Sequence, residues 1–305
     1  MNRSALVLGA GGFLGRHLCR SLTAHGWHVV AATRNPTTFD DSSIENAVSP
    51  FDDASHFDDL VSRCSAVIHA AASTTPGSTA AQPQIEGNLR TTLALVEALQ
   101  EHPDVRLLYL SSGGTLYGDR ASALAREADP LLPRSYHGAG KVAAEVFVQT
   151  WARQFSGCAI VLRPSNIYGP GQLSRRGFGI VPTAFERARD GAPFIVWGGG
   201  GATRDYLFVK DLIDLCMRAI EAPFSPGGHV FNAASGEALN VNQLLDRIDA
   251  VTGRPLERSF APTRPVDITH IVLDNSAARN ILGWHPRYSI EQGLERTWQW
   301  FLGHE

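Results

Sequence analysis

The run Ser135-Tyr136-His137-Gly138-Ala139-Gly140-Lys141 holds two residues suited to moving a proton, an imidazole and an ammonium. His137 and Lys141 are four positions apart, and in a helix that spacing puts both side chains on one face. An imidazole titrates near pH ~6.5, and a neighbouring positive charge pushes that value down. The ring is then neutral at about pH 7 and able to accept a proton. Tyr136 is not equivalent: five helical residues turn its side chain roughly 140° from Lys141. Only a local irregularity of the helix would bring it round.

A second chemistry is written near the start. Gly9-Ala10-Gly11-Gly12-Phe13-Leu14-Gly15 places Gly9, Gly12 and Gly15 at G-x-x-G-x-x-G spacing, after one apolar run and before a helical pattern. Glycine lets the backbone turn tightly and approach a pyrophosphate, which meets free N–H groups at the helix N-terminus. The next strand ends Ala31-Ala32-Thr33-Arg34, with no carboxylate for a ribose 2′-hydroxyl. An arginine there suits a 2′-phosphate, so the expected cofactor is NADP, with NAD as the alternative. Phe51-Asp52-Asp53 is expected to end the third strand, where Asp52 or Asp53 meets the adenine amino group.

These residues need a scaffold, and the apolar pattern supplies one. Strands are expected at 5–8, 27–33, 65–71, 105–111 and 159–163. Helices are expected at 12–25, at 85–100 (with Leu89, Leu93, Val96 and Leu99 on one stripe) and from near Ser135 to about Phe155. This alternation implies an α/β fold, a Rossmann-type doubly wound parallel sheet. Beyond about Gly169 the pattern loosens, with glycine-rich turns and helices at 178–190, 209–222, 241–252 and 290–302. Residues 1–168 are expected to form the dinucleotide-binding domain. Residues 169–305 then form mainly a smaller substrate-binding α/β cap, with some segments returning to the main sheet.

Composition narrows the class. The 305 residues are 44% hydrophobic and 19% charged, with a formal charge of −3. That balance gives no basic footprint for nucleic acid. No apolar run approaches the roughly 18 residues of a membrane span. Cys19, Cys64, Cys158 and Cys216 are far apart in apolar segments, with no metal spacing, so a reducing cytoplasm is expected. With an apolar run so close to the first residue, no leader peptide is expected.

Further motifs add to the glycine loop. They include Ile68-His69-Ala70-Ala71-Ala72, Asn88, Leu110-Ser111-Ser112-Gly113-Gly114-Thr115-Leu116-Tyr117-Gly118 and Leu162-Arg163-Pro164-Ser165-Asn166-Ile167-Tyr168-Gly169-Pro170-Gly171. Later come Arg204-Asp205-Tyr206, Phe231-Asn232-Ala233, Arg264-Pro265-Val266-Asp267 and Leu282-Gly283-Trp284. In number, order and spacing the chain resembles the extended short-chain dehydrogenase/reductase family, specifically its NAD-dependent epimerase/dehydratase branch.

The resemblance implies a nucleotide-sugar 4-epimerase that moves a hydride through a 4-keto intermediate. Cofactor contacts would come from Gly9, Gly12, Phe13, Leu14, Gly15, Arg34, Asp52, Asp53, Ala70, Ala71, Ala72, Ser111, Pro164 and Lys141. Ser73, Thr74, Asn166, Trp197, Arg204 and Arg264 would meet the nucleotide-diphosphate sugar, and the enzyme would be a homodimer. The family's proton-transferring tyrosine falls on His137, and its serine or threonine falls on Gly113. Thr115 is the nearest hydroxyl to take over the latter role. An imidazole is shorter than a phenol by roughly 2 Å, a displacement that slows reactions on the order of 100-fold. Three outcomes are open at this position: little turnover, a working His137, or Tyr136 through rearrangement. An NADP-dependent 4-keto-sugar reductase and a silent cofactor- and sugar-binding protein are the other readings.

Overall fold

A computed structural model of the chain describes residues 3–77, 80–121, 123–174, 179–264 and 267–303. They divide into two compact units. One comprises Met1–Ser112, Tyr136–Arg163 and Ile213–Phe231; the other comprises Gly113–Ser135, Pro164–Leu212 and Asn232–Glu305.

The first unit is built on a seven-stranded sheet of β1 (Ser4–Leu8), β2 (His28–Thr33), β3 (Glu45–Val48), β4 (Ala66–His69), β5 (Arg106–Leu110), β6 (Cys158–Pro164) and β10 (Gly227–Ala233). The order is β10-β6-β5-β4-β1-β2-β3, and every pair from β6 to β3 is parallel. The strands β1 and β4 are buried at every residue, as unbroken apolar runs in a sheet covered on both faces must be. Reversal of strand order beside β1 is the doubly wound arrangement, with ligand sites outside the strands' C-terminal ends.

Two details differ from the sequence reading. The third strand ends at Val48, not at Phe51-Asp52-Asp53. Pairing reaches Ser49 through its N–H to Thr33, and then Pro50, lacking an N–H, cannot continue the ladder. The helix expected at 85–100 starts earlier, at Gln82, and carries a π-helical turn over Ile85–Leu89 before the α-helical stretch Arg90–Ala98. A π turn rotates everything beyond it, so Leu95 and Leu99 are fully buried while Leu89 and Leu93 are only half-buried.

The Lys141 helix, Tyr136–Gln154, is anchored to β6 by a buried ion pair: Glu145 accepts from Arg163 Nε at 3.1 Å and Nη2 at 2.7 Å. Cys19, Cys64 and Cys216 are buried, Cys158 is half-buried, and all four are free thiols.

The second unit uses shorter strands: β7 (Asn166–Tyr168), β8 (Phe194–Trp197), β9 (Thr203–Phe208), β11 (Ala238–Asn240), β12 (Arg258–Ala261) and β13 (His270–Ile271). Strand β9 is the hub, pairing with β7, β11 and β13, while β8 and β12 form a separate parallel ribbon. Helices span Ile180–Asp190, Val241–Thr252 and Ile290–Phe301, the first of which was expected to begin at Phe178, a position outside the described residues. The last two start with capping boxes, Asn240 with Gln243 and Ser289 with Gln292, each satisfying two orphan N–H groups. A short helix at Ser276–Leu282 has no counterpart in the sequence expectations.

At the centre of this unit lies Asp205, fully buried. It accepts from Ser165 Oγ at 2.7 Å, Ser235 N–H at 2.9 Å and Gly236 N–H at 2.7 Å. Burial lifts its carboxyl to about 6 despite those bonds.

Candidate functional site

The glycine loop has the geometry an anionic ligand requires. Gly9 has φ +84°, and a Cβ there would lie 2.7 Å from Ala71 Cα, so no larger residue fits. Gly12 is the N-cap of the helix Phe13–Ala24, with no side-chain cap and no acidic residue in the first turn. Its leading N–H groups are therefore open to a phosphate, on the positive end of the helix dipole. Ala70 is tied to β1 through its N–H to the Leu8 carbonyl, which sets the backbone of Ala70 and Ala71 against Gly9. Ser111, just past β5, is buried, and its hydroxyl has no hydrogen-bond partner among the described residues. An apolar-walled cradle of this kind with a spare buried hydroxyl fits a dinucleotide.

Arg34 follows β2 and is exposed, while Thr33 turns its hydroxyl to the Asn35 carbonyl at 2.8 Å. Asp53 caps the short turn Ala54–His56, accepting from Ser55 N–H at 3.0 Å, and Asp52 lies 3.4 Å from His56 Nδ1.

The two residues expected to move a proton, His137 and Lys141, lie in the same unit. Lys141 is 4% exposed; it donates to the Leu110 carbonyl at 2.9 Å and lies over the Tyr109 ring at 4.8 Å. Burial lowers its ammonium to about 8, opposed by the Glu145 carboxylate. His137 is 5% exposed, on the buried face of the helix with Lys141, and its pKa falls to about 4. Burial is the larger cause and the Lys141 charge the second. Its Nδ1 lies 3.0 Å from Thr74 Oγ1, which in turn meets Gln84 Oε1 at 2.7 Å and Asn88 Nδ2 at 2.6 Å. Tyr136 is half exposed at the start of a regular α-helix, without the irregularity that would turn it towards Lys141.

In the second unit, Thr115 is half-buried on the single helical turn Gly113–Leu116. Asn166 donates to the Asp205 carbonyl at 3.0 Å. Arg264 pairs with Asp267 at 2.7 Å and lies 5.2 Å from the exposed Trp197 ring; Pro265 and Val266, between them in sequence, are outside the described residues. Arg204 donates to the carbonyls of Thr203 at 2.9 Å and Ile268 at 2.6 Å, and burial weakens its hold on its proton. Arg204, Arg264, Asp267 and Trp197 therefore gather in one cluster, in which Asp267 and Asp119 act on the Arg204 charge. Pro164 ends β6, and the Ser165 N–H is tied to Ala233. Among the described residues no His, Cys, Asp or Glu cluster could hold a metal, and no helix is long and apolar enough to cross a membrane.

Sequence reasoning left Gln84 unassigned. Its only sequence signal was the i, i+4 spacing to Asn88 on a helix, which reads equally well as a solvated face.

Comparison with known proteins places this geometry. Residues 5–234 match the NAD dependent epimerase/dehydratase family. The UDP-glucose 4-epimerase of Mycolicibacterium smegmatis is 30% identical, with 97% of each chain covered. The dTDP-4-dehydro-6-deoxy-D-allose reductase of a Streptomyces species is 28% identical over 99% of this chain and 97% of its own. The solved structure of the Thermus thermophilus UDP-glucose 4-epimerase in complex with NAD superposes with a TM-score of 0.90 at 27% identity, covering 98% of this chain and 99% of that one. The chain belongs to the NAD-dependent epimerase/dehydratase family.

Proposed function

We propose that the chain is a nucleotide-sugar 4-epimerase working through a 4-keto sugar, with His137 as the proton acceptor and turnover held low by it. The observation that carries this reading is the buried His137–Lys141 pair, in a chain similar along its whole length to UDP-glucose 4-epimerases. Gly9, Gly12, Phe13, Leu14 and Gly15 hold the dinucleotide pyrophosphate at the helix N-terminus. Asp52 and Asp53 face the adenine, and Ala70, Ala71, Ala72, Ser111 and Pro164 line the rest. Lys141 holds the nicotinamide ribose. When bound, the dinucleotide supplies a sink for the C4 hydrogen with its electron pair and returns it.

The chain's own residues handle the proton and the substrate. Lys141 stays largely protonated at pH 7, and burial first, with the Lys141 charge second, keeps His137 neutral. A neutral imidazole with a pKa near 4 accepts a proton less readily than a base matched to neutral pH, which slows the step. Thr115 shares the substrate hydroxyl's hydrogen bond. Asn166, Arg204 and Arg264 bind the diphosphate, Trp197 packs on the base, and Ser73 and Thr74 border the sugar. Guanidinium groups bind phosphate oxygens in a bidentate fashion, which suits Arg204 and Arg264 to a diphosphate.

A homodimer is favoured by the exposed apolar side chains Ile85, Val146 and Phe147 on two packed helices. The four free thiols favour a cytoplasmic setting.

The second reading, an NADP-dependent 4-keto-sugar reductase, is favoured by Arg34 beyond β2 and by the reductase relative. One experiment separates the two: the purified chain is given NAD, NADP or NADPH with a panel of UDP-, GDP- and dTDP-sugars and their 4-keto forms. Sugar interconversion without net cofactor consumption is the expected result. Stoichiometric NADPH consumption with a 4-keto sugar selects the reductase, and binding without turnover rejects both.

A further inference from the structure

The hydrogen bonds around His137 leave little freedom in where its protons sit. The Ser73 backbone N–H donates to Asn88 Oδ1 at 3.0 Å, and a backbone N–H has no other role. That contact fixes the orientation of the Asn88 amide, so Asn88 Nδ2 must donate, to Thr74 Oγ1 at 2.6 Å and to Gln84 at 3.0 Å. The Gln84 atom receiving that bond is therefore its carbonyl oxygen, Oε1. A hydroxyl carries one proton, and Gln84 Oε1 carries none. The 2.7 Å contact between Thr74 Oγ1 and Gln84 Oε1 therefore holds the threonine proton. Thr74 has nothing left to donate to His137 Nδ1, 3.0 Å away, so that nitrogen must be the donor.

The surroundings are built to keep this arrangement. Asn88 is 3% exposed and Gln84 5% exposed. The π-helical turn Ile85–Leu89 lies between them, and its Gly87 has no side chain because a Cβ there would collide with Ser73 Oγ. Thr74, its own proton held by Gln84, thus faces His137 with an acceptor.

From this we propose that Gln84 is a positioning residue: acting through Thr74, with Asn88 fixing both, it locks His137 in the Nδ1–H tautomer and makes Nε2 the atom that accepts the substrate's hydroxyl proton. In that step the substrate O–H bond breaks, an Nε2–H bond forms, and the imidazole gains one positive charge. The C4–H bond would break as the C4=O bond forms, and the hydrogen would pass with its electron pair to the dinucleotide of the proposed reaction. The resulting imidazolium keeps its Nδ1–H on Thr74, whose oxygen is polarised towards the proton by the Gln84 carbonyl. The role assigned to Nε2 rests on the epimerase reading; the tautomer does not.

The test is long-range proton–nitrogen NMR on the full chain with labelled histidine at neutral pH, with the His137 signals identified by their loss in His137→Phe. The expected spectrum shows Nδ1 protonated and Nε2 bare. Gln84→Leu, which frees the Thr74 proton to be donated to Nδ1, shifts His137 to the Nε2–H form. Gln84→Glu, which still accepts from Thr74, keeps the native form. In steady-state assays Gln84→Leu lowers kcat on the order of tenfold with KM little changed, because a protonated Nε2 accepts nothing. An Nε2–H signal in the native chain overturns the proposal, whether or not the chain is an epimerase. An Nδ1–H signal that survives in folded Gln84→Leu overturns the role of Gln84. If the native tautomer is as expected but no sugar is turned over, the cage stands and the epimerase reading fails.

Discussion

His69 and His137 receive nearly the same physical treatment and end in opposite states. Both are buried in the first unit, both are lowered first by burial and then by the Lys141 charge, and both meet a threonine hydroxyl at 3.0 Å. At His69 the Thr92 proton goes to the Asn88 carbonyl, so Nε2 is the donor and Nδ1 is left buried without a partner. At His137 the donor is Nδ1. One helical run supplies Gln84, Asn88 and Thr92, four residues apart, and so sets both tautomers. Strand β4 carries His69 into the core against Tyr109, whereas the start of the Lys141 helix carries His137. Burial and a shifted pKa are thus shared by a packing residue and a candidate acceptor; the element that presents the ring separates them.

Replacement should separate them most strongly. His137→Phe lowers kcat on the order of 100-fold while dinucleotide and nucleotide-sugar binding persist. His69→Phe leaves kcat within about threefold and registers in thermal stability instead, by roughly 1 kcal/mol, since Thr92 keeps its bond to Asn88. Equal losses of kcat for the two would erase the distinction drawn here.

Acid should reveal what they share. Each imidazole is neutral in the folded chain and takes up a proton on unfolding, between its folded value, about 3 for His69 and about 4 for His137, and its unfolded value near 6.5. Their contribution to stability is complete above pH ~6.5 and is lost as pH falls towards 4, by about 1.4 kcal/mol per pH unit for each group. Thermal melts of the native chain across that window should steepen accordingly, and His69→Phe should roughly halve the slope that the pair contributes. A pH-independent Tm between 4.5 and ~6.5 would contradict the burial of both rings as neutral species.

Much of this is legible in the sequence. The sheet announced itself because strands such as Leu6, Val7 and Leu8 are apolar on both faces, and the glycine loop because its spacing follows a strand and opens a helix. The pairing of His137 with Lys141 was readable from helical geometry alone. The end of β3 was missed because Pro50 stops a ladder that the apolar Phe51 would otherwise extend. The cage around His137 was missed for a deeper reason. Gln84 and Asn88 are polar residues at helical spacing, and only the π turn and the loop at Ser73 turn that stripe inward. Likewise Asp205 stood in a noted motif, but its partners Ser165, Ser235 and Gly236 come together only through the topology of the second unit.

The central claim is that His137 accepts the proton and, by its low basicity and short reach, sets a slow pace in machinery otherwise suited to the reaction. Turnover of His137→Tyr against the native chain, on the same nucleotide sugar at saturating dinucleotide, tests it most directly. A tyrosine four residues before Lys141 gains reach and an ammonium-stabilised phenolate, so the account predicts a rise of at least about tenfold. A native chain that turns over fast, and that tyrosine slows, would contradict it.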